Sequence, residues 1–381
     1  MKKMLIFLLL LIPTTVKALD VDIASNAESA ILLEATTGEI IYQKNIHTRL
    51  APASMTKMMS MLIIIEKIND GSLNWDEEVT ASANASSMGG SQIFLETGEK
   101  MTVRDMLKGI SIASGNDATV ALAERIAVNE EGFVNLMNKR ATELGLENTQ
   151  FKNATGLDEA NHYSSAYDMA QIARELVKYK EILEFTGTYE TYLREGTDKK
   201  FWLVNTNKLV RFYQGVDGLK TGYTESAGYC LTATAFKNSM RLIGVVMKEP
   251  DPTARSSEMS SMFDYGFNNY MVEQMLSVTS EVGKIKVEKG VKEYVSIVPK
   301  QDVNILNNNS NNKRNVTYSL NVDTVSAPVK AGQVVGTLDV IEDDRVIMTI
   351  DITVLEDVKK ANIFQLYYRY LTDVLSANLN I

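Results

Sequence analysis

Residues 216–247 read VDGLKTGYTESAGYCLTATAFKNSMRLIGVVM. Within them, residues 229–236 and 241–247 are largely apolar or alternating, and the turn-formers Lys237, Asn238 and Ser239 join them. That pattern predicts two antiparallel strands. Upstream, VDGLKTGYT at 216–224 predicts a further strand at the sheet edge. Near the other end of this region, residues 30–42 (AILLEATTGEIIY) place two apolar runs around Thr37-Gly38, the mark of a β-hairpin. Residues 55–68 (MTKMMSMLIIIEKI) follow and are apolar around most of a helical circumference, which predicts a central, buried helix. Between the early and late strands, residues 79–195 are mostly helical in period, with helices expected over 103–112, 118–127 and 131–144. Distant strands of this kind share one sheet, so the expectation is an α/β domain carrying an inserted helical lobe. A helix over 256–270 closes it.

The pattern changes near Leu276. Short alternating segments at 284–287, 294–298, 316–322, 334–340 and 346–354 predict a small all-β module. The polar loop at 307–315 (NNNSNNKRN) carries no functional signal. From Lys359 onward, Ile363, Phe364, Tyr367, Tyr370, Leu371, Val374 and Leu375 share one helical face, opposite Asn362, Gln365, Arg369, Thr372, Asp373 and Ser376. Such a helix suits a membrane interface; the alternative is a helix packed against its own protein. The expected organisation is a signal peptide at 1–18, the α/β domain with its helical lobe at 19–273, a β-rich domain at 274–357 and an amphipathic helix at 358–381.

Composition narrows the function classes. The chain has 381 residues, 45% hydrophobic and 23% charged, enough for a substantial core. A net charge of −9 without a long basic stripe disfavours nucleic acid as a partner. Lys2 and Lys3, the apolar run at 4–12 and the modest side chains Val16 and Ala18 form the three parts of a secretory signal cleaved after Ala18. An uncleaved anchor and a buried helix are the alternatives. The single cysteine, Cys230, excludes an internal disulfide and reads as a buried apolar residue. The two histidines, His47 and His162, leave little material for a metal site or a Ser-His-Asp triad, and neither metal nor cofactor is expected.

Three short motifs carry chemistry. Ser54-Met55-Thr56-Lys57 opens the buried helix, where residues three apart share a face, so the Lys57 amine reaches the Ser54 hydroxyl. Serine needs such a base to become a nucleophile. Lysine serves only if burial or a second cation makes its proton labile, while the helix N-terminus favours an alkoxide. Alone the motif is weak, because about one or two S-x-x-K matches arise by chance in a chain this long. Ser114-Gly115-Asn116 lies between two predicted helices, where Ser114 can relay a proton and Asn116 can hold a substrate amide and the Lys57 amine. Ser and Asn are also common helix caps, so capping is the alternative. Lys220-Thr221-Gly222 offers a charge and a hydroxyl for a carboxylate, with a glycine that lets a ligand approach the strand; a surface turn is the alternative.

The three together, in this order, resemble the low-molecular-mass penicillin-binding proteins that are serine D-alanyl-D-alanine carboxypeptidases. The resemblance extends through GGSQIFLETGE at 89–99, SGNDA at 114–118, Gly156-Leu157, HYSSAYDMA at 162–170 and VDGLKTG at 216–222. It implies the fold of penicillin-binding proteins and serine β-lactamases, followed by the β-rich domain and terminal helix. It also implies that Ser54 attacks the carbonyl between two terminal D-alanines of a peptidoglycan stem peptide, with Lys57 taking its proton. Lys220 and Thr221 would hold the terminal carboxylate. Ser114 and Lys220 would pass a proton to the leaving amine, and the N–H groups of Ser54 and Tyr223 would bind the oxyanion. β-Lactam antibiotics would acylate Ser54 and leave slowly. The terminal helix would sit on the outer face of the cytoplasmic membrane, making the enzyme exported and peripheral. Tyr223 departs from relatives with histidine there, a small change if its N–H does the work. His162 reads as structural, and Ser164, Ser165 and Asp168 as a capping cluster.

Two other readings compete. A serine β-lactamase needs an activated deacylating water; Glu159 is nearby, but the expected E-x-x-L-N arrangement is absent and the middle motif is S-G-N, not S-D-N. A non-catalytic peptidoglycan-binding scaffold has no use for Ser54, Lys57, Asn116 and Lys220 together.

Overall fold

The computed structural model describes residues 22–309 and 314–377. The expected signal segment lies outside them. The catalytic domain is built on one five-stranded antiparallel sheet, in the order Ile40–Lys44, Ser29–Glu34, Met240–Glu249, Gly228–Lys237, Val216–Thr224. Early and late strands therefore share a sheet, as their patterns predict. All six residues of Ser29–Glu34 are buried because both faces are covered. Leu32 points into a core with Val246 of the neighbouring strand and with Met259 and Phe263 of the long helix Pro252–Asn269. Its neighbours Ile31 and Leu33 point the other way, into the core shared with the helix Lys57–Asn69. Strand periodicity thus allots alternate side chains to two separate cores.

The helical lobe contains Val103–Ala113, Asn116–Ala127, Glu130–Glu143 and Ala166–Leu176. Capping side chains set three of these four starts. Thr102 Oγ1 accepts from Asp105 N, and Asn129 Oδ1 accepts from Gly132 N. Asp251 caps the helix Pro252–Asn269, with Pro252 at its first turn. Two short hairpin strands, Glu190–Leu193 and Phe201–Val204, also stand in the lobe and had no counterpart in the sequence reading.

At Asn269 the helix passes directly into the strand Tyr270–Leu276, which pairs with Val303–Asn308. The boundary expected at 273/274 falls inside that strand. Six further strands form the β-rich module around Ile297, Leu338, Val340 and Ile352. Val358 and Ala361 remain buried in it. The terminal helix starts at Ile363, later than the expected 358, and runs Ile363–Ala377. No helix among the described residues is long and apolar enough to cross a membrane.

Candidate active site

Ser54 lies in a single 3-10 turn, Ala53–Thr56, that leads into the helix starting at Lys57. Three residues per turn eclipse positions i and i+3 more closely than an α-helix does. Lys57 Nζ accordingly donates to Ser54 Oγ at 3.0 Å and to the Thr155 carbonyl at 2.7 Å. Ser54 is half-buried, whereas Lys57 has no exposed surface. Burial, followed by the charge of Lys220, holds the Lys57 amine well below the ordinary lysine range; the Asp117 carboxylate opposes this. Ala53, immediately before the nucleophile, has φ +46°. That is a strained conformation for a side-chain-bearing residue, and such strain collects at functional sites.

Tight backbone contacts hold this turn. Gly156, at φ +84°, lies so close that a side chain there would collide with the Ala53 carbonyl. A cavity of about 340 Å³ lies alongside, lined by Pro52, Gly156, Leu157, Asp158, His162 and Ser226. His162 belongs to the scaffold, as expected. Its Nδ1 accepts from Lys152 N at 3.2 Å, which leaves Nε2 to donate to Thr56 Oγ1 at 2.9 Å. Burial lowers its pKa to about 4, so the ring is neutral. Ser165 caps the next helix by accepting from Asp168 N, while Asp168 and Ser164 both bond Thr149.

Ser114 ends the helix Val103–Ala113 in a left-handed conformation (φ +65°), and Asn116 opens the next helix. Neither side chain caps that helix: its N-cap is Gly115, without a side-chain bond. The capping alternative therefore fails. Asn116 Nδ2 donates to Gly89 O at 2.6 Å, and Asn116 N to Ser91 O at 2.7 Å. Ser114 Oγ and Asn116 Oδ1 are buried without a partner. Buried polar atoms are normally bonded, so two such orphans, at the junction of two helices packed against the Lys57 helix, are ready for a ligand's polar groups.

Lys220, Thr221 and Gly222 lie within the edge strand Val216–Thr224, not in a surface turn. Lys220 Nζ donates to the Thr221 carbonyl at 2.9 Å, and Thr221 Oγ1 donates to Thr206 Oγ1 at 2.8 Å. Burial, with the nearby Arg255 charge, brings the Lys220 pKa down to about 7. Gly222 faces the nucleophile: a methyl group there would stand 2.8 Å from Pro52 O and 3.2 Å from Ser54 N. Tyr223 is exposed and stacks on Tyr229, ring centres 4.3 Å apart.

The structure therefore brings Ser54 and Lys57 against the strand of Lys220, Thr221, Gly222 and Tyr223, and packs the helices that meet at Ser114 and Asn116 against the Lys57 helix. It also adds contributors that the motifs did not announce: the Thr155 carbonyl, Thr206, and Arg255 with its buried, unpartnered Nε. Only Asp117 carried a readable signal, next to Asn116 in SGND; its carboxylate accepts from Ile93 N and Leu95 N. Glu159, the carboxylate weighed for a β-lactamase, is exposed and accepts from Asn153. Cys230 is fully buried, and its thiol pKa is pushed up to about 11.

Residues 14–251 match the family model of D-alanyl-D-alanine carboxypeptidases, and residues 270–360 match that of the penicillin-binding protein 5 C-terminal domain. The D-alanyl-D-alanine carboxypeptidase DacF of Bacillus subtilis is 50% identical over 353 residues, covering 92% of this chain and 91% of that protein. DacA of Escherichia coli is 33% identical, covering 89% and 85%. Among solved structures, penicillin-binding protein 5 from Haemophilus influenzae superposes with a TM-score of 0.73 at 31% identity, covering 88% of this chain and 98% of that one. The chain belongs to the serine D-alanyl-D-alanine carboxypeptidases, the low-molecular-mass penicillin-binding proteins, and has their catalytic domain and β-rich C-terminal domain.

Proposed function

We propose that this D-alanyl-D-alanine carboxypeptidase works through an acyl-enzyme on Ser54. The neutral Lys57 amine accepts the Ser54 proton across their 3.0 Å contact as Oγ attacks the carbonyl between the two terminal D-alanines. The N–H groups of Ser54 and Tyr223 hold the oxyanion; such a donor is worth about 3 kcal/mol. Lys220, in its charged form, and Thr221 hold the terminal carboxylate, and Arg255 adds positive potential from behind. Gly222 leaves room for the substrate backbone. Ser114, between the two lysines in role, returns the proton to the departing D-alanine amine, and Asn116 holds the substrate amide. Water then attacks the acyl carbonyl, with Lys57 again as base, and frees the shortened stem peptide.

One observation carries this reading: a fully buried lysine of depressed basicity bonded to a half-exposed serine, on a helix packed against the two that meet at the orphaned side chains of Ser114 and Asn116. β-Lactams enter the same way, since their ring amide and carboxylate mimic the D-Ala-D-Ala end. Incubation with a labelled penicillin, followed by intact-mass analysis and peptide mapping, is the test. One label on Ser54, lost in Ser54→Ala, is expected. A label on Ser114 or another serine would overturn the assignment.

Placement at the membrane belongs to the same proposal. The enzyme is exported, its signal segment is removed after Ala18, and the mature chain rests on the outer face of the cytoplasmic membrane through the helix Ile363–Ala377. Support comes from that helix's exposed side chains: Phe364 is 80% exposed and Ile363 76%. Large apolar groups so exposed in contiguity mark an interaction face.

A further inference from the structure

The hairpin strand Glu190–Leu193 ends at Arg194, whose side chain is only 11% exposed. Its Nε donates to Glu99 Oε1 at 2.6 Å, Nη1 to Ile93 O at 3.0 Å and Nη2 to Phe94 O at 3.3 Å. The neighbouring N–H groups of the same loop are claimed from another side. Ile93 N and Leu95 N donate to the carboxylate of Asp117, the residue after Asn116. The loop is thus held by its carbonyls and its amides at once. Between the two grips Phe94 adopts φ +58° and turns an exposed ring edge-on to Phe201, 5.5 Å away. A bulky residue with positive φ persists only where its surroundings dictate it.

The loop is joined to the site by its remaining contacts. Ser91 O and Gly89 O accept from the main chain and side chain of Asn116. Ile93 fills the space over the two glycines that flank Ser114 in the fold: methyl groups at Gly109 and Gly115 would stand 2.7 and 3.2 Å from its Cγ2.

We propose that Arg194 is a positioning residue: it fixes the loop at 91–99, and through it the orientation of Asn116 and Ser114 required for acylation of Ser54. The inference rests on the reading of Ser54, Ser114 and Asn116 as the reacting site. Arg194 touches no substrate. A lysine at this position keeps the ion pair to Glu99 but cannot grip both carbonyls, because it lacks the planar fork.

The test compares Arg194→Ala, Arg194→Lys and Arg140→Ala. Arg140 bridges Glu66 and Glu143 and belongs to no part of the site, so its loss reports stability alone. Acylation is followed by stopped-flow with a fluorescent penicillin, alongside kcat and KM on a D-Ala-D-Ala peptide and thermal melting. Arg194→Ala should acylate about tenfold more slowly and Arg194→Lys about three- to fivefold more slowly, as expected for a small misplacement of reacting groups. Arg140→Ala should melt lower and acylate normally. Wild-type acylation in Arg194→Ala overturns the proposal, as does equal slowing in Arg140→Ala. If Arg194→Ala does not fold, Arg194→Lys and Glu99→Gln decide, and wild-type rates in both overturn it. Label mapped away from Ser54 in the parent enzyme counts against the nucleophile assignment instead.

Discussion

An amine removed from water is more stable neutral than charged, and Lys57 and Lys220 are both such amines. Their proposed tasks are opposite, since Lys57 must be neutral to accept a proton and Lys220 charged to hold a carboxylate. Burial and the charge of Lys220 push the Lys57 pKa down, the direction its task requires. Lys220, lowered to about 7, loses its charge as pH rises through that value in the free enzyme. A bound carboxylate favours the charged form and moves this titration to higher pH. The expected outcome is an alkaline limb near pH 7 in kcat/KM and a limb at higher pH in kcat, measured on a D-Ala-D-Ala peptide. A single shared limb would exclude Lys220 as the clamp. Stability follows the same protons. Between the lowered pKa and the ordinary lysine value the unfolded chain binds more protons than the folded one, so Lys220 makes stability rise with pH there. His162, at about 4, adds no limb near neutrality. The Ser54–Lys57 pair was legible because its chemistry is local, three residues on one turn. Arg255 was not, since it reaches Lys220 only by the return of a distant helix over the sheet, which no spacing records.

The edge strand Val216–Thr224 shows what an element contributes beyond its residues. It supplies Lys220, Thr221 and Gly222 in succession and runs directly past Ser54 N. Gly222→Ala would put a methyl group 2.8 Å from Pro52 O, and the two backbones would have to separate. The expected result is acylation slower by about a hundredfold or more, the cost of spoiling one oxyanion donor, with the circular dichroism spectrum retained. Normal acylation would mean that the strand and the nucleophile turn do not cooperate as described. This strand was readable because it directly precedes the two strands at 229–247, which are themselves marked by apolar patterning and a turn. The hairpin Glu190–Leu193 and Phe201–Val204 was not: each strand has four residues, and the charged stretch REGTDKK separates them. Its burial comes from docking on the lobe, a tertiary effect that propensity does not contain. Arg194, at its turn, was hidden for the same reason.

At the scale of the whole molecule, Arg314 joins the two modules. It donates to both oxygens of Glu39 in the catalytic domain, at 2.8 and 2.7 Å, and to Glu342 in the β-rich module at 2.7 Å. The polar loop that carries it showed no signal in the sequence, because an ion-pair link depends on where Glu39 arrives in space. The module in turn holds the terminal helix: Arg369 Nη2 donates to Gly290 O and Val291 O, at 2.8 and 3.1 Å. The apolar face remains outside these contacts, with Phe364, Tyr367, Tyr370 and Val374 each exposed by more than half. The chain carries a net charge of −9, so under the proposed anchoring the attraction to an anionic bilayer comes mostly from that face. The helix and the Ser54 site lie in different modules, so loss of the helix should spare catalysis on soluble peptides. The place of the cut matters. Val358 pairs with Val329, and Ala361 N donates to Lys289 O, so both complete the β-rich core. Truncation after Asn362 leaves them in place and should give an active enzyme that stays in the supernatant when the full mature chain pellets with anionic vesicles. Phe364→Asp combined with Tyr367→Asp should release the full-length enzyme without changing its peptide kcat/KM. Equal partitioning of the truncated and full-length enzymes into vesicles would remove the helix as the anchor and leave its exposed face for a protein contact.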